Sequence, residues 1–308
     1  MKTILITGVN GFIGSSLALY LNRLTKDYQI IGIDREKIDT ADLARVKFYH
    51  QDINDPLPDI KNIHTVIHLA AQAGVRESQE QFDKFVQDNI IGTRNIIEKC
   101  ISTWKPKKFI FASSSSIYGD CSEKAKETDT LKPVSLYGFT KVACEKLIET
   151  YKNNGLLDET ECISLRFFTV YGPRQRSGLA IANFIDWILH DEPITVYGNG
   201  TQKRDFLFID DLCEAIKLLI DNPMNIPYNT HEIFNVASNK PYSLNEVIYY
   251  ISTLLKKTVE IDYQPRNRYD VLNTSADISK IQHFINWSPG TKLDDGIRRQ
   301  IDYAKLKL

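Results

Sequence analysis

Residues 2–14 read KTILITGVNGFIG. KTILIT is apolar and rich in β-branched residues, the composition of a buried strand. Gly8, Gly11 and Gly14 follow, and then SSLALYLNRL repeats its apolar residues with the period of an amphipathic helix. The order is strand, glycine turn, helix. Glycines let a backbone turn tightly and approach a pyrophosphate, which sits on the helix N-terminus where free N–H groups and the dipole favour anions. A glycine run alone is a weak signal, because turns are glycine-rich. A second strand, YQIIGID, strengthens it by ending in Asp34, twenty residues past Gly14. An acid there suits the ribose hydroxyls of NAD. Arg35 is the residue type that accepts the 2′-phosphate of NADP, and on balance the pattern favours NAD.

Outward from this unit, VKFYHQDIND gives a short strand ending in Asp52 and Ile53, placed to lie beside an adenine ring. HTVIHLAAQAG gives another, ending in Leu69, Ala70 and Ala71, whose small side chains let the chain pass close to a cofactor. His64 and His68 have no acidic or cysteine partners at ligand spacing, so both read as structural and no metal is expected. Residues 79–100 read as one helix, with Asn89 at an apolar-flanked position that suits a kink or an ordered water. TECISLRFFTVYG (160–172) reads as one strand, followed by a loop and a helix through LAIANFIDWIL. Strands alternating with helices predict an α/β fold, a doubly wound parallel sheet with its ligand at the carboxyl ends of the strands.

The chemistry concentrates in 113–141, SSSSIYGDCSEKAKETDTLKPVSLYGFTK. Serines end an apolar strand. Pro133 and Ser135 announce a helix on which Tyr137 and Lys141 share a face, four residues apart. A free tyrosine has a pKa near ~10 and is a poor base at neutral pH. A nearby ammonium favours its phenolate. Farther on, arginines gather on loops. Arg204 has the chemistry to clamp a diphosphate bidentately. Tyr197, at a strand-to-turn junction, can stack on a base.

Composition excludes several classes. A formal net charge of -1 gives no argument for a nucleic-acid or membrane surface. No apolar run approaches the length of a membrane span. Five scattered cysteines (Cys100, Cys121, Cys144, Cys162, Cys213) form no close pair, which suits a reducing compartment. With a strand at the very start and no signal peptide, a cytoplasmic location is expected.

TGVNGFIG, Asp34, HLAAQAG, SSSSIYG, Tyr137-x-x-x-Lys141, RFFTVYGP, RDFLFIDD and SADISK occur in one order over essentially the whole chain. In this the chain resembles the extended short-chain dehydrogenase/reductases, in their nucleotide-sugar epimerase branch, and is most similar to UDP-glucuronate 4-epimerases. The resemblance implies a Rossmann-type domain over 1–172 that binds NAD, with 206–237 returning to it. A smaller mixed domain, 173–205 and 238–308, would bind the UDP-sugar. Gly8, Gly11, Phe12, Ile13 and Gly14 would line the pyrophosphate. Asp34 would hold the adenosine ribose, Asp52 and Ile53 the adenine, and Leu69, Ala70 and Ala71 would border the cofactor. Ser114, Tyr137 and Lys141 would be catalytic, with Tyr137 the base and Lys141 on the nicotinamide ribose. Arg204 and one of Arg266 or Arg268 would reach the UDP phosphates, and Tyr197 the uracil. Ser115 and Ser116 stand where family dehydratases carry an Asp-Glu pair, and Ser116 where the decarboxylases place a Glu. With Thr169 and Arg176 they would receive a C5 carboxylate, since a buried carboxylate needs hydrogen bonds or a counter-charge. The implied reaction is 4-epimerisation of UDP-glucuronate through a 4-keto sugar, and a homodimer is implied. Epimerases of UDP-glucose or UDP-N-acetylglucosamine are the near alternative, a non-catalytic NAD-binding protein the remote one.

Overall fold

The computed structural model describes residues 1–24, 27–37, 43–121, 123–223, 226–227, 229–266 and 269–307. Its strands in chain order are β1 Lys2–Thr7, β2 Tyr28–Asp34, β3 Lys47–His50, β4 Thr65–His68, β5 Lys108–Ser114, β6 Glu161–Phe167, β7 Thr169–Tyr171, β8 Ile194–Tyr197, β9 Lys203–Phe208, β10 His231–Val236, β11 Pro241–Ser243 and β12 Ile261–Gln264. The chain divides into two compact units. The first comprises 1–119, 130–167 and 213–234, the second 120–129, 168–212 and 235–308. Residues 168–172 and 206–212 therefore fall with the second unit.

A seven-stranded sheet runs in the order β10-β6-β5-β4-β1-β2-β3. The pairs β1/β2, β1/β4, β2/β3, β4/β5 and β5/β6 are parallel. β4 and β5 are buried along their whole length, as expected of strands covered on both faces. Leu5, Ile33, Val66, Phe109 and Phe111 pack with Ile96, Ile97, Cys144 and Ile148 into one core. The strand order reverses at β1/β4, so the glycine turn after β1 sits where such sheets take ligands.

The second unit carries the order β11-β9-β7, with β7 parallel and β11 antiparallel to β9. A separate parallel pair joins β8 and β12. The helix Leu244–Leu255 begins with a capping box of Ser243 and Glu246.

Two expectations need correction. The strand expected over 160–172 is two strands. The ladder with β5 ends at Ser114 opposite Phe167, and Phe168 N–H turns to the Val236 carbonyl at 3.1 Å. The helix expected over 79–100 breaks once, at Gln81 (φ -124°, ψ 39°), after Glu77–Glu80; from there Phe82–Phe85 runs on through a π-helical segment Val86–Ile91, an α-helix Gly92–Lys99 and a second π segment Cys100–Trp104. Widened turns of this kind recur at functional sites. β3 and β4 stop at His50 and His68, so Asp52, Ile53, Leu69, Ala70 and Ala71 lie in the turns just beyond.

Candidate active site

The glycine turn has little room for side chains. Gly8 has φ +70°, and a Cβ on it would lie 2.7 Å from Ala70 N. A Cβ on Gly14 would lie 2.2 Å from the Gly8 carbonyl oxygen. Gly8, Gly11 and Gly14 thus bring bare backbone to the N-terminus of the helix Phe12–Leu24, whose first two residues are Phe12 and Ile13. Leu69 N–H and Ala70 N–H donate to the carbonyl and hydroxyl of Thr7, both at 3.2 Å, which fixes the turn after β4 beside it. Asp34 is held from two sides. Asn10 N–H donates to Oδ2 at 2.9 Å and Glu36 N–H to Oδ1 at 3.0 Å. Asp52 Oδ1 accepts Asn54 N–H at 2.9 Å, and Ile53 is buried. This cradle fits a dinucleotide: no Cβ in its tightest places, a helix N-terminus, and an oriented acid at the next strand end.

The candidate catalytic residues lie at the end of β5 and on the helix Leu136–Asn153. Ser114 is extended and caps a 3₁₀ turn, Ser115–Ile117; its Oγ accepts Ser116 N–H and donates to Ser116 Oγ, both at 3.1 Å. The Ser135 hydroxyl caps the helix Leu136–Asn153 by accepting Gly138 N–H at 3.1 Å. Lys141, 3% exposed, reaches back to β5 and donates to the Ala112 carbonyl at 2.8 Å. Its Nζ stands 4.8 Å from the Phe111 ring centroid and 5.9 Å from that of Tyr137. Burial pushes Lys141 down to about 8, with Cys144 and Glu145 pulling the other way. It is therefore still an ammonium at neutral pH, held one turn from a half-buried phenol. Phe85 meets the Tyr137 ring edge-on at 6.3 Å.

Asn89 was singled out in the sequence without its partners, and the cluster of Arg166, Glu145 and Ser113 was not read there. Asn89, inside the π-helical segment, accepts Gln72 N–H at 2.7 Å and donates to the Gln72 carbonyl at 3.1 Å and to Thr140 Oγ1 at 2.9 Å. It ties the loop after β4 to the tyrosine helix by direct bonds, where a kink or water was expected. Arg166 donates to both carboxylate oxygens of Glu145, at 3.0 and 2.8 Å, and to Tyr118 Oη at 2.7 Å. Ser113 donates to Glu145 at 2.5 Å. Glu145 lies four residues past Lys141 on the same buried face, and that spacing was the signal available. His68 is structural, as expected. It bonds Thr7 and Thr93, and burial pushes it down to about 3. Among the described residues no cluster could hold a metal.

In the second unit, Arg204 donates to the carbonyls of Lys203 and Leu272 through Nη1, at 2.9 and 3.2 Å, and to that of Val271 through Nη2 at 2.7 Å. Burial pushes Arg204 down, Asp270 and Asp120 pull it up, and Arg266 adds to the depression. Arg266 is exposed and donates to the Asp270 carbonyl at 2.6 Å. Tyr197 ends β8 and is 40% exposed, Thr169 opens β7, and Arg176 is exposed. Arg268 lies outside the described residues.

No helix among the described residues is long and apolar enough to cross a membrane. A UDP-glucuronate 4-epimerase from Thermodesulfobacterium geofontis is 35% identical over 98% of this chain and 95% of its own length. The UDP-glucuronic acid 4-epimerase from Bacillus cereus, solved with UDP-glucuronic acid and NAD, matches all of both chains at 33% identity and a TM-score of 0.91. The UDP-glucose 4-epimerase from Thermotoga maritima, solved with UDP-glucose, matches 99% of each at 28% identity and 0.87. The model of the NAD dependent epimerase/dehydratase family matches residues 4–237, and with these relatives it shows that the chain belongs to that family.

Proposed function

We propose that this chain interconverts UDP-glucuronate and UDP-galacturonate by 4-epimerisation, with NAD retained through the cycle. The observation that carries the reading is the buried Lys141 ammonium, fixed to Ala112 and one helical turn from Tyr137, beside the strand end that presents Ser114. Bound NAD supplies the hydride acceptor and donor for C4 of the sugar. Tyr137, as phenolate, takes the proton of the 4-hydroxyl and later returns it. Lys141 stabilises that phenolate and holds the nicotinamide ribose. Ser114 hydrogen-bonds the same sugar oxygen. Gly8, Gly11, Phe12, Ile13 and Gly14 receive the pyrophosphate, Asp34 the adenosine ribose, and Asp52, Ile53, Leu69, Ala70 and Ala71 border the adenine and nicotinamide halves.

In this reading the second unit anchors UDP. Arg204 and Arg266 attract the diphosphate and Tyr197 packs on uracil; Arg268 remains an alternative to Arg266. A diphosphate is an acceptor for charge-assisted bonds from both guanidinium groups. A firm diphosphate anchor lets the 4-keto sugar turn over while the nucleotide stays put. Ser115, Ser116, Thr169 and Arg176 take the C5 carboxylate, and the similarity to UDP-glucuronate 4-epimerases supports that choice. The similarity to a UDP-glucose 4-epimerase keeps neutral hexoses as the second reading. Initial rates with UDP-glucuronate, UDP-glucose and UDP-N-acetylglucosamine decide between them. A kcat/KM for UDP-glucuronate at least about tenfold above both others supports the carboxylate pocket. A neutral sugar winning overturns it.

The same reading includes a homodimer through the helix Leu136–Asn153. Phe139 on that helix is 48% exposed and pairs with Phe82 at 6.3 Å, an apolar face of the kind interfaces cover. A monomeric mass in solution would contradict it.

A further inference from the structure

Arg35 follows Asp34 directly, the place from which an arginine takes a 2′-phosphate in dinucleotide-binding folds. In this chain its guanidinium is already engaged. Nη1 donates to Asp88 Oδ2 at 2.9 Å and stands 3.8 Å from Asp52 Oδ2, while Nη2 donates to Gln72 Oε1 at 3.2 Å. Its carbonyl is pinned as well, 2.8 Å from His50 Nε2. Burial works against the Arg35 charge, but Asp88, then Asp52 and Glu36, outweigh it and raise its pKa.

Asp88 comes from the π-helical segment, 53 residues along the chain, and is 7% exposed. A carboxylate taken that far out of water must be paired. Its other oxygen accepts Asn54 Nδ2 at 3.2 Å, so the side chain is fixed at both ends. Asp34 is likewise oriented by Asn10 and Glu36. Asp88 and Asp52 thus stand against one guanidinium, with Glu36 also acting on its charge, and the balance of charge there is negative. A ribose 2′-hydroxyl can donate to Asp34. A 2′-phosphate would meet uncompensated carboxylates and an arginine whose charge is already spent.

We infer that Asp88 is a cofactor-selectivity residue: by occupying Arg35 as an internal anion, it turns a potential NADP-binding arginine into part of an NAD-specific pocket. The inference rests on the reading that the glycine turn and Asp34 hold the adenosine half of NAD.

The test is calorimetric titration of nucleotide-stripped protein with NAD⁺ and NADP⁺. In the unaltered chain NAD⁺ binds at least about a hundredfold tighter. Asp88→Asn keeps the side-chain shape and removes the carboxylate charge paired with Arg35, leaving Gln72 and Asp52 in place. It should tighten NADP⁺ by about tenfold or more while NAD⁺ stays within about threefold. Adding Arg35→Gln to it should abolish that gain. Arg35→Gln alone should leave NADP⁺ affinity within about threefold, and it keeps the test alive if Asp88→Asn misfolds. An unchanged NADP⁺/NAD⁺ ratio in folded Asp88→Asn overturns the inference, as does a tenfold loss of NADP⁺ affinity in Arg35→Gln alone. Failure of the unaltered chain to bind NAD⁺ defeats the cofactor reading itself, a result distinct from a failed selectivity shift.

Discussion

Glu145 and Arg166 are joined twice, at 3.0 and 2.8 Å, with each side chain 3% exposed. Burial opposes the Arg166 charge, and the Glu145 carboxylate more than offsets it. Removing one partner of such a pair strands the other in the core, at a cost of about 3–5 kcal/mol. Glu145→Gln should therefore lower the melting temperature by several degrees, while the pair exchange Glu145→Leu with Arg166→Met should recover most of the loss. Equal destabilisation by the single and double variants would show that shape, and not stranded charge, is what matters. Because Glu145 also binds Ser113 beside Ser114, the single variant should reduce kcat more than it raises KM.

Tyr137→Phe should lower kcat by about 10²–10⁴, the range for a lost general base, with bound NAD retained. Lys141→Met leaves the phenol without its ammonium. The acidic limb of the kcat/KM profile should then move to higher pH by about a unit or more. An unmoved limb would mean that Lys141 does not tune the base.

Lys141 also carries a stability cost. Its native value is about 8 against an ordinary lysine's 10.5. Between these, the unfolded chain holds a proton that the native state has released, so native stability rises with pH across that window. Below about 8 the full burial cost remains. Cofactor-free Lys141→Met should therefore melt above the unaltered protein at pH 7, by an amount worth up to about 3 kcal/mol less the lost Ala112 bond. The advantage should fade as pH rises from about 8 toward 10.5. A variant less stable at every pH would contradict this.

Buried His68 and half-buried His231 predict acid sensitivity. Burial pushes His68 down to about 3 and His231 to about 4. Their native values lie below the unfolded one, so the unfolded state binds more protons and stability falls as pH drops from the ordinary histidine value of 6.5 toward 4. Each contributes roughly 1.4 kcal/mol per pH unit at most in that window. Replacing His231, which bonds Ser164 at 2.7 Å, with Gln should flatten the slope measured by chemical denaturation. An unchanged slope would refute the assignment.

Asn89→Ala removes three bonds between the loop after β4 and the tyrosine helix. Each buried polar group left unmade costs about 1–3 kcal/mol. The variant should lose NAD during purification and show a lower kcat, and Asn89→Asp should rescue neither, because it cannot donate to the Gln72 carbonyl. Full NAD content in both would contradict the role.

What the sequence showed was local. Strand KTILIT, its glycine turn and the helix after it lie within a few residues of one another, and the shared face of Tyr137 and Lys141 follows from helical period alone. Pairings across the chain were hidden. Nothing around Arg35 announces Asp88, and nothing in SLRFF marks Arg166 as the partner of Glu145. The switch of sheets at Phe168 was invisible because apolar residues continue through it, and only the partner carbonyl changes. Asn89 was legible as unusual, but its partner Gln72 was not.

The central claim is best tested by incubating the purified protein with UDP-glucuronate in D₂O, without added cofactor, and following the sugar by ¹H NMR. UDP-galacturonate with protium retained at C4 is the expected product, because the hydrogen leaves and returns without exchanging with solvent. Deuterium at C4, or no epimer even after NAD⁺ is supplied, would contradict it.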